Sequence, residues 1–153
     1  YNLSFQTERS LRIKIEVDTN PPMCFSTEQL LMVQPYSFMV QCMTLPCLFA
    51  GKMHALVYRQ WKNRVKGRDW YDFEWYVRWG HTLSWEHLHE RIVEFSGKEC
   101  TQNEFMELLN HRLATTDINQ VKADVLPFVQ HPKELDIWSN DYFLQLAQRI
   151  RWE

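Results

Sequence analysis

Hydrophobic and polar positions alternate along the first third of the chain. Over residues 11–17 every second side chain is hydrophobic and those between are charged, which predicts a β-strand with two different faces. Two short apolar runs, residues 29–34 and 37–43, are separated by Pro35 and predict two further strands joined by a turn. A weaker strand is predicted over residues 1–6.

Beyond these strands the hydrophobic positions recur at the three- and four-residue spacing of an α-helix. The spacing predicts helices over residues 45–64, 69–79, 84–95, 102–114, 117–126 and 139–151. Helix-end signals support these assignments: Thr101 with Glu104 has the pattern of a capping box, Ser139 is an expected N-cap and Gly97 an expected C-cap. The second part of the chain is therefore predicted to be helical.

The order of the predicted elements, strands first and helices after, indicates an α+β fold. We divide the chain into residues 1–43, which carry the strands, and residues 44–153, which form a helical domain. With 153 residues, 45% of them hydrophobic and 14% aromatic, the chain can bury a substantial core. A disordered tail is excluded by the same numbers.

The charge and cysteine content limit the partners and the compartment. The formal net charge is -2, so no overall positive field attracts nucleic acid or a membrane surface. Positive charge is local instead, with six Lys or Arg in residues 52–68. Four cysteines without metal-ligand spacing indicate reduced thiols in the cytoplasm. No apolar run is long enough for a membrane span, so no membrane partner is expected.

Charged residues of both signs surround the corner between the first two predicted helices. Lys52 and Arg59 share one helical stripe, and Asp69 and Asp72 lie one turn apart where the second helix starts. A lysine and an arginine so placed can hold a triphosphate, and the alternative is an ordinary solvated helix face. For Asp69 the alternative to a role in the site is capping of the second helix, whose dipole favours an acidic residue in the first turn. Arg68 beside it is expected to stabilise the corner by an ion pair.

Glu16 lies in the middle of the first predicted strand, on the charged face with Lys14 and Asp18. A carboxylate held rigidly on a strand can bind Mg²⁺ or accept a proton, as metal-assisted phosphoryl transfer requires. The alternative is a solvent-facing sheet surface with alternating charges.

Aromatic side chains are concentrated in residues 70–85, where Trp70, Trp75, Trp79 and Trp85 occur with Tyr71, Phe73 and Tyr76. Such a cluster can stack nucleic-acid bases. Aromatic residues at helical spacing more often form a hydrophobic core, which is the interpretation that we favour.

In chain order, these motifs resemble the AbiEii/AbiGii toxin family of nucleotidyltransferases. The resemblance rests on Ile13-Lys14-Ile15-Glu16-Val17-Asp18, Leu45-Pro46, Ala50-x-Lys52-x-x-Ala55-Leu56-x-x-Arg59, Arg68-Asp69-x-Tyr71-Asp72 and Lys122-x-Asp124-Val125 followed by Pro127-Phe128. It extends from about residue 9 to the C-terminus. Its specific part is the string that runs from Ala50 to Asp72.

The resemblance implies the toxin of a bacterial toxin–antitoxin or abortive-infection system, with a cognate antitoxin as a partner. It implies a minimal nucleotidyltransferase sheet, of which residues 1–43 are a part, followed by an appended helical domain. The implied reaction uses Mg²⁺ and a nucleoside triphosphate and transfers nucleotides to an RNA acceptor such as a tRNA end.

The resemblance also implies roles for individual residues. Glu16 corresponds to a metal ligand, and Glu16, Lys52 and Asp69 correspond to the catalytic residues. The residues implied to bind the nucleotide are Lys14, Lys52, Arg59, Arg68, Asp72 and Asp124.

The family's first motif, Gly-Gly-Ser/Thr followed by Asp-x-Asp, is expected upstream of Glu16 and is not found in residues 1–10. We therefore expect the chain to be the C-terminal portion of a toxin and to be inactive alone, because it lacks two metal-binding carboxylates. The alternative is a non-catalytic module that binds nucleotide or RNA. An uncovered sheet edge would also favour self-association.

Overall fold

The computed structural model describes residues 13–60 and 65–153. The elements in chain order are β1 (Thr27–Met32), β2 (Phe38–Met43), α1 (Leu45–Tyr58), α2 (Gly67–Arg78), β3 (Thr82–Leu83), α3 (Trp85–Ser96), α4 (Gln102–Thr115), α5 (Ile118–Val125), two 3-10 turns (Leu126–Phe128 and Pro132–Ile137), α6 (Asn140–Ala147) and β4 (Arg151–Trp152). The predicted α+β class is confirmed. The weak strand predicted over residues 1–6 lies outside the described residues.

β1 and β2 form the hairpin predicted from the two apolar runs. The strands are antiparallel, with Thr27 opposite Met43 and Met32 opposite Phe38. Hydrophobic side chains remain exposed on the hairpin, because no third strand pairs with it within residues 13–60 and 65–153. The expected self-association through this sheet edge stays a prediction.

The strand predicted over residues 11–17 is wrong for the part that the structure describes. Residues 13–18 form no strand, and the side chains of Ile13, Ile15 and Val17 are 77%, 83% and 78% exposed. Alternation provides a hydrophobic face, but a strand also needs a hydrogen-bonded neighbour. No described strand pairs with this segment. Glu16 therefore lies on an exposed segment and not on a rigid strand.

The six α-helices follow the predicted segments, but two of them end several residues before the predicted end. One is α6, which ends at Ala147 instead of residue 151, and Arg151 belongs to β4. The other is α1. The helix stops at Tyr58, and Arg59 and Gln60 are not helical. Arg112 of α4 donates hydrogen bonds to the carbonyl oxygens of Val57, at 2.7 Å, and Arg59, at 3.3 Å. A side chain from another helix thus satisfies carbonyl groups that helix ends leave unpaired.

The helix-end signals read from the sequence are confirmed. Thr101 and Glu104 form a capping box, in which the Glu104 N–H donates to Thr101 Oγ1 at 3.2 Å and the Thr101 N–H donates to Glu104 Oε2 at 2.7 Å. Ser139 Oγ accepts from the Tyr142 N–H at 3.1 Å. Gly97 ends α3 with a φ of 67°, where the absence of a side chain avoids strain.

The helices enclose one hydrophobic core. α1 packs against α2, α3 and α4, while α2 also packs against α5 and α6. The largest fully buried side chains include Trp70, Phe49, Phe73, Phe105, Phe143 and Met53. Trp70 and Phe73 therefore have the core role favoured for the aromatic cluster, whereas Trp79 is exposed. No helix in the described parts of the chain has the length and apolar character to span a membrane.

A buried carboxylate, Glu74, links α2 to the region around α6. Its Oε2 accepts from Trp138 Nε1 at 2.9 Å and its Oε1 accepts from the Tyr142 hydroxyl at 2.5 Å. Burial, together with Glu74, raises the pKa of Tyr142 to about 12. The hydroxyl therefore stays protonated and keeps donating to the carboxylate over the physiological pH range.

Tyr142→Phe is expected to lower the free energy of unfolding by about 1–2 kcal/mol, because a buried carboxylate loses a donor. Urea unfolding measures the difference. The matched control is Tyr36→Phe in the exposed hairpin turn, which should change stability by less than about 0.5 kcal/mol. Equal effects of the two variants would contradict a stabilising role for the Glu74 network.

Candidate functional site

A cavity of about 540 Å³ opens between α1, α2 and α3. Its charged and aromatic lining is provided by Lys52, His54, Tyr58, Arg59, Arg68, Asp69, Arg91 and Phe95. The volume lies in the range of sites that bind small molecules. The lining contains more cations than carboxylates, so the cavity is suited to an anionic ligand.

Two ion pairs join α1 to α2 at one side of this cavity. Lys52 Nζ lies 2.6 Å from Asp72 Oδ2, and Arg59 Nη1 lies 2.9 Å from Asp69 Oδ2. Two turns of α1 separate the cations, and one turn of α2 separates the carboxylates. The structure thus brings together the four side chains that the sequence placed around this corner.

Asp69 is the most deeply buried charged residue of the cavity, with 2% of its side chain exposed. Burial raises the pKa of its carboxyl group, and the opposing effects of Arg59 and Arg68 only partly offset the rise. Arg68 Nε is 4.0 Å from Asp69 Oδ1. A buried carboxylate depends strongly on its partner, so Asp69 restrains the Arg59 guanidinium at the cavity wall.

Asp69 lies in the first turn of α2, as its capping alternative requires, but the side-chain hydrogen bond to the start of the helix comes from Asp124 of α5. The Gly67 N–H donates to Asp124 Oδ2 at 2.8 Å. Asp124 also lines a second cavity, of about 410 Å³, together with Arg68 and Phe128. Arg68 lines both cavities and connects them.

The opposite wall of the first cavity carries two residues that sequence reasoning missed, Arg91 and His54. The Arg91 guanidinium carbon lies 3.9 Å from where a Cβ on Gly51 would be. Arg91 Nε and His54 Nε2 are both buried without a hydrogen-bond partner in the described structure. The one signal in the sequence is the four-residue spacing of Arg91 and Phe95, which places both on the same face of α3.

His54 is packed among aromatic rings at this wall. Its ring stacks on Tyr58 with centroids 5.0 Å apart and meets the Phe95 ring edge-on at 5.3 Å. Burial, with a smaller effect of Arg91, lowers the pKa of His54 to about 4. The imidazole is therefore neutral at pH 7.

Lys14 and Glu16 line neither cavity. They form an ion pair with each other on the exposed segment that precedes β1. The structure therefore separates these two residues from the corner formed by Lys52, Arg59 and Asp69.

A family model matches residues 1–146 of the 153, and its description is "nucleotidyl transferase AbiEii toxin, type IV TA system". The chain belongs to the AbiEii toxin family. This confirms the resemblance found in the sequence. No curated protein and no solved structure matches the chain. The AbiEii family consists of nucleotidyltransferase-like toxins of type IV toxin–antitoxin systems, which makes an antitoxin the expected kind of partner.

Nucleotidyltransferases generally use a divalent metal ion, which carboxylate side chains bind. Within residues 13–60 and 65–153, no three His, Cys, Asp or Glu side chains come together as metal ligands. Asp69 and Asp72 are each paired with a cation, and Glu16 is paired with Lys14. The described residues therefore do not form a metal site by themselves.

The low pKa of His54 makes stability depend on pH in this AbiEii protein. In the unfolded chain the imidazole takes up a proton below about pH 6.5, whereas in the folded chain it does so only near pH 4. Protonation therefore favours the unfolded state as the pH falls between these values. Because the ring is partly exposed, we expect a loss of only about 1 kcal/mol.

His54→Gln should remove this part of the acid destabilisation. The measurement is the free energy of unfolding at pH 7 and at pH 4.5, for the wild type and the variant. His111→Gln, on the exposed face of α4, is the control and should retain the wild-type pH dependence. An unchanged pH dependence in His54→Gln would contradict the assignment.

Proposed function

We propose that the cavity between α1, α2 and α3 binds the phosphates of a nucleoside triphosphate, and that the toxin transfers the nucleotidyl group to an RNA acceptor such as a tRNA end. The observation that supports this best is the convergence of Lys52, Arg59 and Arg68 on one cavity. Family membership supports the reaction class.

Each proposed phosphate ligand has a defined position in the cavity. Asp72 holds the Lys52 ammonium group and Asp69 holds the Arg59 guanidinium, so little side-chain freedom is lost when a phosphate binds. Arg68 is the most exposed of the three cations and stands between the two cavities. It is therefore placed to contact both the triphosphate and the acceptor strand.

Nucleotidyl transfer depends on positioning and on stabilising charge at the transferred phosphorus. In our proposal Lys52 is the catalytic cation, because it lines the cavity and its side chain is accessible beside its partner Asp72. Asp69 and Asp72 act as positioning residues through Arg59 and Lys52. Asp124 has a positioning role at the start of α2, where it accepts from Gly67.

Mg²⁺ is the metal that we propose for the transfer, with Glu16 as its candidate ligand and Lys14 as the basic residue beside it. When bound, the metal supplies charge neutralisation at the phosphates. The described residues do not build its site, so no step is assigned to the metal.

Transfer of a labelled nucleoside triphosphate to total tRNA, in the presence of Mg²⁺, tests the proposal. Because the chain is expected to be inactive alone, it is mixed with a polypeptide that carries the family's first motif, and we expect labelled RNA from this mixture. Arg59→Gln in the same mixture should raise the KM for the triphosphate about tenfold, because a charge-assisted hydrogen bond to phosphate is lost. Arg149→Gln, an exposed arginine outside the cavity, should behave as the wild type. No labelled RNA, or an unchanged KM in Arg59→Gln, would refute it.

A second candidate function is a module that binds nucleotide or RNA without chemistry. The separation of Glu16 from the cavity and its pairing with Lys14 favour this alternative. RNA binding that weakens steeply with salt, needs no Mg²⁺ and occurs without labelled product would support it.

We also propose that the protein acts in the bacterial cytoplasm with an antitoxin as its partner. All four cysteines are free, which agrees with a reducing compartment. Co-purification with a candidate antitoxin tests the partner, and failure of the two proteins to associate would contradict it.

A further inference from the structure

We propose that Arg91 and His54 form a phosphate-binding subsite on the α3 side of the cavity. The inference rests on the proposed triphosphate site and extends it to residues that the sequence motifs do not specify. The ligand class is a phosphate group of the triphosphate, held opposite the two ion pairs of α1 and α2.

The cations of the cavity differ in how far their charge is neutralised. Lys52 and Arg59 each contact a carboxylate directly, and Arg68 is 4.0 Å from one. Arg91 is half-buried and makes no hydrogen bond or ion pair with any described residue. A guanidinium cannot lose its charge at physiological pH. A half-buried arginine without a partner is thus the strongest anion attractor in this wall.

The hydrogen-bonding groups of the wall support the same ligand. Arg91 Nε and His54 Nε2 are both buried and unpartnered, although buried polar atoms are nearly always paired. The neutral imidazole carries one N–H, which donates to an acceptor when the proton is on Nε2. Because both atoms have almost no accessible surface, a phosphate in the cavity bonds to them when the guanidinium and the imidazole ring turn toward it.

The position of the guanidinium places it beside the other phosphate ligands. Arg91 Cζ lies close to Gly51, the neighbour of Lys52 in the chain, at 3.9 Å from where a Cβ on Gly51 would be. His54, Tyr58 and Phe95 are the other described residues of this wall, and none of them is a carboxylate. A phosphate at this wall therefore meets positive charge and N–H donors without a repelling group.

Binding of inorganic tripolyphosphate to the full chain, measured by isothermal titration calorimetry, tests the subsite. Arg91→Gln should weaken binding about tenfold or more, because a bidentate charged contact is lost. The affinity of Arg91→Lys should lie between those of Arg91→Gln and the wild type, since lysine keeps the charge but cannot form two parallel hydrogen bonds. His54→Gln should weaken binding about threefold, and Arg149→Gln should leave it unchanged.

Thermal unfolding distinguishes lost binding from lost structure. Arg91 has no partner among the described residues, so Arg91→Gln should unfold at the temperature of the wild type. If the wild type binds tripolyphosphate and Arg91→Gln binds it equally well, the subsite is wrong while the proposed function stands. If the wild type does not bind it, the triphosphate site and the subsite are both wrong.

Discussion

Gly67→Ala should lower the free energy of unfolding by about 3 kcal/mol, which is close to the largest effect expected when one methyl group is added to a packed interior. Gly67 is the first residue of α2, where α2 crosses α5. A Cβ there would lie 2.4 Å from the Val121 carbonyl oxygen and 3.0 Å from the Val125 nitrogen. Both are backbone atoms of α5, so relief requires the two helices to separate.

Gly51→Ala is the matched control, since it is the same change in another α-helix. A Cβ at Gly51 meets only the Arg91 guanidinium carbon, at an ordinary contact distance of 3.9 Å. Alanine also has the higher helix propensity, so this variant should be equally stable or up to about 1 kcal/mol more stable. Urea unfolding measures both, and similar losses in the two variants would contradict the role of close helix packing at Gly67.

The second large effect is expected from Lys52→Ala, which should lower kcat/KM for nucleotide transfer on the order of 100-fold. Lys52 is the cation that we assign to the transferred phosphate, and removing one preorganised charge or donor typically costs this much. Its partner Asp72 is partly exposed, so the loss of the ion pair should cost less than about 1 kcal/mol of stability. The loss of activity would then occur in a folded protein.

Two further variants make the test of Lys52 specific. Lys98→Ala removes an exposed lysine in the turn after α3 and should leave transfer unchanged. Asp72→Asn keeps the Lys52 charge but loosens its position, so the expected loss is smaller, about tenfold. A variant Lys52→Ala with wild-type transfer would exclude Lys52 from catalysis. Equal losses for Lys52→Ala and Lys98→Ala would indicate a general effect of lost positive surface charge.

The helices could be predicted from the sequence because the interactions that define them are local. The capping box of Thr101 and Glu104 and the N-cap at Ser139 each involve residues three positions apart, and the structure contains both. The β1–β2 hairpin is local in the same sense, with Pro35 in its turn. In each case the neighbours along the chain contain the required information.

Interactions between distant segments could not be predicted in this way. Gly67 and Asp124 are 57 positions apart, yet their hydrogen bond connects α5 to the start of α2. Arg91 reaches the cavity only because α3 packs on α1. The strand predicted over residues 11–17 was wrong for the same reason. The alternation of residues 13–17 is that of a strand, but no described strand pairs with this segment.

The sequence by itself determined the helices and the hairpin, the family, and the set of charged side chains around the corner between α1 and α2. Only the tertiary structure decided which of those charges are neutralised. It buries Asp69 against Arg59 and pairs Lys52 with Asp72. Arg91, beside a neutral His54, has no hydrogen-bond or ion-pair partner among the described residues. The physical reason is that burial and pairing set the energy of a charge, and both depend on which helices pack together.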